Sequence, residues 1–332
     1  MKKKNVADAA VYSTLRSRVL AELSDEVPEG EVKSFFGRDG RFALLTDASD
    51  ANDGSHEVYV EFPDSSPLRL PLEIYAGRRR VIAGTWRADA WANEQKLDAT
   101  GPWQTLCEEI DGDGAFLERL LPLTEKRSLS RRLFVSFREK LFLNVDVLYG
   151  SDDERIDDET SIGDAATLLR LRSTFPLDSS ETLFLQDDTN RAVAFGDAAD
   201  ALPFARAFSL SLNGNIAIKK TYGGVLETSA RRRGGSLCVA TLFDWNASRA
   251  TRPVSVGIAT VGENLRAVDD GRAVGRQIQL GRERYVLYVS TSQRPAIRSI
   301  LSRNLLSDFM FGKFFIGRGV EPLVDVEIPE DF

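Results

Sequence analysis

Residues 68–76 alternate strictly between apolar and polar side chains, and this pattern constrains the fold more than any other part of the sequence. One side of an extended chain carries Leu68, Leu70, Leu72 and Ile74, and the other carries Arg69, Pro71, Glu73 and Tyr75. Strict alternation is the period of a half-buried strand. A second apolar run follows three consecutive arginines and continues to Trp86. We therefore predict a β-hairpin that has arginines at its tip and one face packed on a core.

Other segments have the apolar spacing of helices. Apolar residues recur at every fourth position over 6–23, which predicts an amphipathic helix near the start of the sequence. Similar spacing predicts helical pieces over 102–121, which break at "DGDG", then a helix capped by Ser128 and another near 296–311. A short helix is also expected after Ser161.

The second half of the chain has mainly strand patterns. Residues 141–149 alternate, and apolar runs recur at about ten-residue spacing from Leu237 to Val289. Asn213-Gly214 lies between two alternating segments and is typical of a two-residue hairpin turn. This spacing indicates a sandwich or a strongly curved sheet.

Together the patterns predict an α+β protein with a helix-plus-hairpin N-terminal half and a β-rich, sandwich-like or curved-sheet C-terminal half. The acidic stretch "SDDERIDDET", which begins at Ser151, has the composition of a solvated linker. We place a mixed α/β domain with the projecting hairpin at 1–150, the acidic linker at 151–162 and a β-rich domain with a terminal helix at 163–332.

The net charge limits what the whole surface can bind. The formal charge is -7, whereas proteins that bind nucleic acid over a broad surface carry net positive charge. Any polyanion site must therefore be a local patch. Cys107 and Cys238 lie in apolar contexts, as core residues of a reduced compartment do. With no apolar signal segment and no window long enough to span a bilayer, we expect a cytoplasmic protein or a subunit of an assembled particle.

Most familiar catalytic motifs do not occur in the sequence. His56 is the single histidine, which excludes a multi-histidine metal site, and we expect it to be exposed at a strand edge. Asp111 and Asp113 have the opening spacing of a calcium loop without its later ligands. Neither a nucleophile elbow nor a glycine-rich phosphate loop is present. We expect no metal and no cofactor, and these observations favour a protein that is not an enzyme.

Polyanion binding by local arginine groups is the site that the sequence predicts. The candidate residues are Arg78, Arg79, Arg80, Trp86, Arg231, Arg232 and Arg233. Both groups fall where hairpin tips are predicted, so their side chains would project, and nearby aromatic rings suit stacking. The opposing interpretation is that the arginines keep an exposed edge soluble. The choice depends on whether the two tips share a face.

Two parts of the sequence resemble known protein families. The order of elements in the first half, a helix, a projecting hairpin, helices and a long strand, is similar to that of tailed-phage capsid proteins, which implies a shell subunit. The segment "LCVATLFDWNASRATRPVSVGI", from Leu237 to Ile258, looks like the terminal β-sandwich of some glycoside hydrolases. The first half has nothing like their catalytic barrel, so no residues are carried over.

We predict a noncatalytic structural or assembly component that self-associates or joins other protein subunits, in a virion-like particle if the capsid resemblance holds. Two alternatives stay open. One is a nucleic-acid-binding subunit that uses the arginine-rich tips. The other is a carboxylate-dependent enzyme that acts on carbohydrate or nucleotide, because paired carboxylates leave no readable spacing in a sequence.

Overall fold

The computed structural model describes residues 15–17, 19, 34–37, 42–47, 56–77, 79–111, 113–150, 167–178, 182–186, 192–197, 203–211, 215–219, 224–292 and 295–327. Residues 15–17 and 19 are helical. Nearly all other regular structure is β-strand. The predicted α+β class is therefore wrong.

The strands before residue 150 are β1 Ser34–Phe36, β2 Phe42–Asp47, β3 His56–Glu61, β4 Arg69–Ala76, β5 Arg79–Ala92, β6 Gln95–Lys96, β7 Gln104–Ile110, β8 Gly114–Pro122, β9 Ser128–Ser136 and β10 Leu141–Tyr149. The next group is β11 Leu168–Pro176, β12 Thr182–Gln186, β13 Ala192–Asp197, β14 Pro203–Ser209, β15 Asn215–Lys219, β16 Val225–Arg233 and β17 Leu237–Asp244. The last group is β18 Val254–Ile258, β19 Val261–Glu263, β20 Arg266–Ala267, β21 Ala273–Leu280, β22 Glu283–Ser290, β23 Arg298–Ile300, β24 Arg303–Leu305, β25 Ser307–Phe315 and β26 Gly319–Glu327.

These strands form a stack of antiparallel sheets. The outer sheet has the order β1-β2-β3-β4-β5-β11-β16-β15, with β6 paired to β5. The central sheet has the order β12-β13-β14-β17-β10-β9-β8-β7. A five-stranded sheet, β18-β21-β22-β25-β26, and a four-stranded sheet, β20-β19-β23-β24, follow. Strands from both sides of residues 151–166 pair within the outer and central sheets.

The middle strands of the central sheet are buried on both faces, so the sheet separates two cores. The first core lies between the outer and central sheets and contains Trp86, Leu171 and Leu133. The second core lies between the central and five-stranded sheets and contains Phe134 and Phe311. Every residue of β9 and β10 is buried, as expected for strands in the middle layer of a stack.

The helices predicted between residues 102 and 137 are wrong, because this region forms β7, β8 and β9. In β8, Leu117 and Leu121 face the first core, whereas Phe116 faces the second. A strand that is buried on both faces loses the two-residue alternation and acquires adjacent apolar pairs, which also occur on one face of a helix. In β8 and β9 the burial of both faces, rather than helical structure, explains the spacing, whereas β7 is largely exposed.

Two turns lie where the sequence patterns predicted a break between helices and the inside of a helix. "DGDG" is the turn between β7 and β8, where the Asp111 carboxylate accepts hydrogen bonds from the backbone N–H groups of Asp113 and Gly114 at 2.8 and 2.7 Å. The predicted helix near 296–311 is instead β23, β24 and the start of β25. Leu301 and Ser302, with φ of 46° and 65°, form the turn between β23 and β24. Such φ values normally require Gly or Asn, so a Leu-Ser pair carries no recognisable turn signal.

The strands on either side of Asn213-Gly214 do not form the predicted hairpin. β14 pairs with β13 and β17 in the central sheet, whereas β15 pairs with β16 in the outer sheet. The connection therefore passes from one sheet to another, and the hairpin prediction is wrong. The two-residue turn signal is local and does not specify which strands pair.

The hairpin over 68–86 is confirmed, since β4 and β5 pair antiparallel around Gly77. Leu15 and Val19 of the opening helix are buried, as the four-residue spacing predicts. The acidic linker 151–162 and the helix after Ser161 lie outside the described residues, and the division into two domains stays a prediction. No helix in the described ranges is long and apolar enough to cross a membrane.

Candidate functional site

One face of the outer sheet is turned away from the first core and carries an unusual set of charges. Along β5, the outward Arg87, Asp89 and Trp91 alternate with the buried Ala88 and Ala90. We term seven outward residues of β4, β5, β6, β11 and β16 the basic face. These residues are Arg69, Arg87, Trp91, Lys96, Arg170, Arg172 and Arg231.

Arginines stand directly opposite each other on the basic face at two places. Arg69 of β4 pairs in register with Arg87 of β5. Arg170 of β11 pairs in register with Arg231 of β16. Like charges directly opposite each other destabilise a sheet. All four side chains are exposed, so a negatively charged ligand on this face would relieve the repulsion.

Trp91 supplies an aromatic ring at the centre of the basic face. Its neighbours in register are Arg170 on β11 and Lys96 on β6. The guanidinium carbons of Arg170 and Arg172 lie 5.2 and 5.1 Å from the centre of its ring, within the range of cation–π attraction. The indole is half-buried, and it thus orders two cations while part of it stays accessible.

Asp89 neutralises part of this charge. Its carboxylate accepts a hydrogen bond from Arg172 Nη2 at 2.7 Å, and Lys96 Nζ lies 3.1 Å from its other oxygen. Burial opposes ionisation of this carboxyl, but the hydrogen bonds from Arg172 and Lys96 outweigh burial and lower its pKa. Arg172 Nη1 also lies 3.8 Å from the Glu227 carboxylate.

A groove of about 710 Å³ opens beside the basic face. Residues 64–69, Lys96, Asp98, Ala99, Gly101 and Pro102 line it. Arg69 and Lys96 belong to both the groove and the basic face. A hydrogen bond from the buried Trp103 holds one wall of the groove in place. Its indole N–H donates to the carbonyl of Pro67, a lining residue, at 2.8 Å.

The first predicted arginine group is largely engaged in contacts within the protein. Arg78 lies outside the described residues. Arg79 stacks over the Phe204 ring at 4.7 Å. Arg80 donates to the Asp178 carboxylate at 2.6 Å, and its Nη1 is 3.6 Å from Glu73 Oε1. Trp86, predicted to stack on a ligand, is fully buried in the first core, where it stacks on Arg131 and donates to Ser173 Oγ at 2.8 Å.

The second predicted group is divided between two faces. Arg231 belongs to the basic face, and Arg233 is exposed at the end of β16. Arg232 points the other way and forms an ion pair with Asp269. The two groups lie on one sheet but do not meet, because the eleven residue steps along β5 from Arg80 to Trp91 span about 36 Å.

A second polar cluster lies at the Arg80 end of the same outward face. Tyr75 donates to Glu73 Oε2 at 3.2 Å, and Arg16 lies over the Tyr75 ring at 5.0 Å. Burial raises the pKa of Glu73, although Arg80 and Tyr75 oppose the rise. Burial together with the Glu73 charge raises the pKa of Tyr75 to about 12. The cluster thus contains a carboxyl that holds its proton more tightly than usual.

The remaining chemistry predictions concern histidine and metals. His56 is buried rather than exposed, and its ring lies against Trp245 at 5.2 Å between centroids. Within the described ranges, no group of His, Cys, Asp and Glu side chains is arranged to hold a metal ion. Both cysteines are free thiols, and burial raises the pKa of each to about 12.

No protein-family model and no curated protein matches this chain. Solved structures do match. A mutant of the heparan sulfate lyase HepC from Pedobacter heparinus has a TM-score of 0.56 at 11% identity, over 89% of this chain and 49% of that chain. A heparinase III gene product with methylated lysines has a TM-score of 0.54 at 9% identity, over 84% of this chain and 47% of that chain. The chain spans about half the length of these proteins, and identities this low show a shared fold alone.

This likeness overturns the prediction of a noncatalytic structural or assembly component. The solved structures that share the fold are carbohydrate lyases rather than structural or assembly proteins. The nearly all-β architecture also removes the order of helices and strands on which the resemblance to phage capsid proteins rested.

Proposed function

We propose that this chain is a carbohydrate-active β-sandwich that binds an anionic polysaccharide along the basic face. The observation that carries the proposal is the pairing of Arg170 with Arg231 and of Arg69 with Arg87 on one exposed face. Sheets avoid such pairs unless another charge compensates them. The fold shared with proteins named as heparan sulfate lyases supports a polysaccharide as the source of that charge.

The chemistry of the face suits such a polymer. Guanidinium groups donate two parallel hydrogen bonds to a carboxylate or sulfate group. Trp91 offers an apolar ring to the C–H face of a sugar between the two flanking arginines. In the groove, Asp64, Ser65 and Asp98 can accept or exchange hydrogen bonds with neutral hydroxyl groups. A chain of sugars would thus place its anions on the face and its hydroxyls in the groove.

The test compares affinity for dextran sulfate with affinity for neutral dextran by calorimetry at fixed salt. We expect binding to dextran sulfate alone, and binding should weaken as salt rises. The double variant Arg170→Ala/Arg231→Ala should lose at least roughly tenfold in affinity, about 1.4 kcal/mol. Arg282→Ala/Arg284→Ala removes the same charge from exposed positions at the five-stranded sheet and should change affinity much less.

Equal losses in the two double variants would contradict the proposal, because they would mean that net charge rather than the basic face controls binding. Duplex and single-stranded DNA are measured under the same conditions. Tighter binding to either DNA than to dextran sulfate would favour the nucleic-acid-binding subunit and overturn the polysaccharide.

The Glu73 cluster favours a second function, carboxylate-dependent cleavage of the bound polymer. Glu73 has a raised pKa and contacts the Tyr75 hydroxyl and Arg80. Because the Glu73 side chain is fully buried, the partly exposed Tyr75 hydroxyl would pass the proton from Glu73 to the polymer. Chromatography of a polymer incubated with the chain tests this function. Glu73→Gln should abolish release of shorter products with unchanged affinity, and Glu321→Gln, at an exposed position of the five-stranded sheet, is the control. Binding without any product release by the native chain would overturn it.

A further inference from the structure

Asp89 lies at the centre of the basic face and holds two of its cations at once. One carboxylate oxygen accepts from Arg172 at 2.7 Å, and the other lies 3.1 Å from Lys96 Nζ. The Asp89 side chain is 17% exposed, whereas those of Arg172 and Lys96 are 35% and 49% exposed. A ligand can therefore reach the two cations while their carboxylate partner is largely shielded.

The other arginines of the face are less restrained. Beyond its cation–π contact with Trp91, Arg170 has only a long ion pair of 3.7 Å within the described ranges, with Glu94, whose side chain is 74% exposed and therefore well hydrated. Exposed pairs of this kind contribute little. Arg231 makes no ion pair with any residue in the described ranges and faces Arg170. The face thus has freely available cations at Arg170 and Arg231 and restrained cations at Lys96 and Arg172.

We infer that Asp89 is a specificity-determining residue that limits the preference of the basic face for polymers of high charge density. This inference rests on the proposed polysaccharide function. A polymer with widely spaced anions can satisfy Arg170 and Arg231 but cannot draw Lys96 and Arg172 away from Asp89. A polymer with closely spaced anions offers several negative charges within the same area and displaces the carboxylate, but the displacement consumes part of its binding free energy. Lys96 also lines the groove, so the exchange extends ligand contact from the face into the groove.

The variant Asp89→Asn tests the inference, because asparagine keeps the shape and removes the competing charge. Its affinity is measured for dextran sulfates of low and high degree of substitution at one salt concentration. We expect affinity for the densely sulfated polymer to rise roughly fivefold, because it no longer has to displace a carboxylate, and affinity for the sparsely sulfated polymer to rise less than twofold. The preference for dense charge should therefore increase at least about 2.5-fold. Thermal unfolding of each variant shows that it is folded.

Glu321→Gln is the matched control, because it removes one exposed carboxylate from the five-stranded sheet. Equal effects of Asp89→Asn and Glu321→Gln on both polymers would overturn the inference, as would weaker binding by Asp89→Asn. If the native chain binds dextran sulfate and the preference of Asp89→Asn for dense charge is unchanged or smaller, the inference alone fails. If neither the native chain nor Asp89→Asn binds any sulfated polymer, the proposed function fails and the inference fails with it.

Discussion

Replacing Arg231 with glutamine should stabilise the folded chain and weaken its binding to an anionic polysaccharide. Arg231 is exposed and stands directly opposite Arg170. In the free protein the two guanidinium groups repel each other across β11 and β16, and glutamine removes that repulsion. With a polymer bound, the same substitution removes a cation that the ligand needs.

The size of the stability gain follows from the strand geometry. Residues directly opposite in an antiparallel pair have Cβ atoms about 5 Å apart. Two unit charges about 6 Å apart in water repel by ~0.7 kcal/mol, and physiological salt reduces this to ~0.3 kcal/mol. Arg231→Gln should therefore raise the free energy of unfolding by ~0.3 to 0.7 kcal/mol, with the larger value at low salt. Arg231→Lys keeps the charge and should leave the stability nearly unchanged.

Urea unfolding at two salt concentrations measures the stability change, and calorimetric titration with dextran sulfate measures the affinity. The reasoning requires the two quantities to move in opposite directions for Arg231→Gln. A glutamine variant that is less stable than the native chain would show that the arginine pair is not repulsive. Unchanged affinity would show that Arg231 does not contact the polymer.

Three further predictions concern other parts of the structure. Trp91→Ala should lower affinity for dextran sulfate about fivefold, and Trp91→Phe should lower it less; equal losses would mean that the ring is not used. Asp146→Asn breaks the fully buried pair with Arg131, whose hydrogen bonds are 2.7 and 3.0 Å, and should lower the free energy of unfolding by ~3 to 5 kcal/mol; a loss below ~1 kcal/mol in urea unfolding would refute this. Burial would raise the pKa of Glu283, but hydrogen bonds from Lys313 and Arg249 lower it. The stability from this depressed pKa is present above the unfolded value of about 4.3 and is lost as pH falls through the folded pKa. Glu283→Gln should therefore show a shallower loss of stability on acidification than the native chain, and parallel acid profiles would contradict this assignment.

Local patterns predicted the parts of the fold that are buried on one face. The hairpin over 68–86 was found because β4 and β5 alternate between the core and the outward face. The middle-layer strands β8 and β9 were mistaken for helices because both of their faces are apolar. The turn at Leu301 and Ser302 was missed because its residues carry no turn signal.

The candidate site was found only in part. Arg231 was predicted from its run of arginines, but the opposing Arg170 lies in a different strand some sixty residues earlier. Which residues face each other depends on strand pairing, and no local pattern specifies it. Trp86 was chosen over Trp91 because it follows the first arginine group, whereas alternation along β5 buries Trp86 and turns Trp91 outward.

Chemical footprinting of arginine tests the central claim most directly. The native chain is treated with an arginine-specific dicarbonyl reagent, with and without dextran sulfate, and the modified residues are identified by mass spectrometry. We predict that the polymer protects Arg69, Arg87, Arg170 and Arg231, while the exposed Arg282, Arg284 and Arg318 remain equally reactive. Equal protection of both sets, or protection of the second set alone, would contradict the assignment of polysaccharide binding to the basic face.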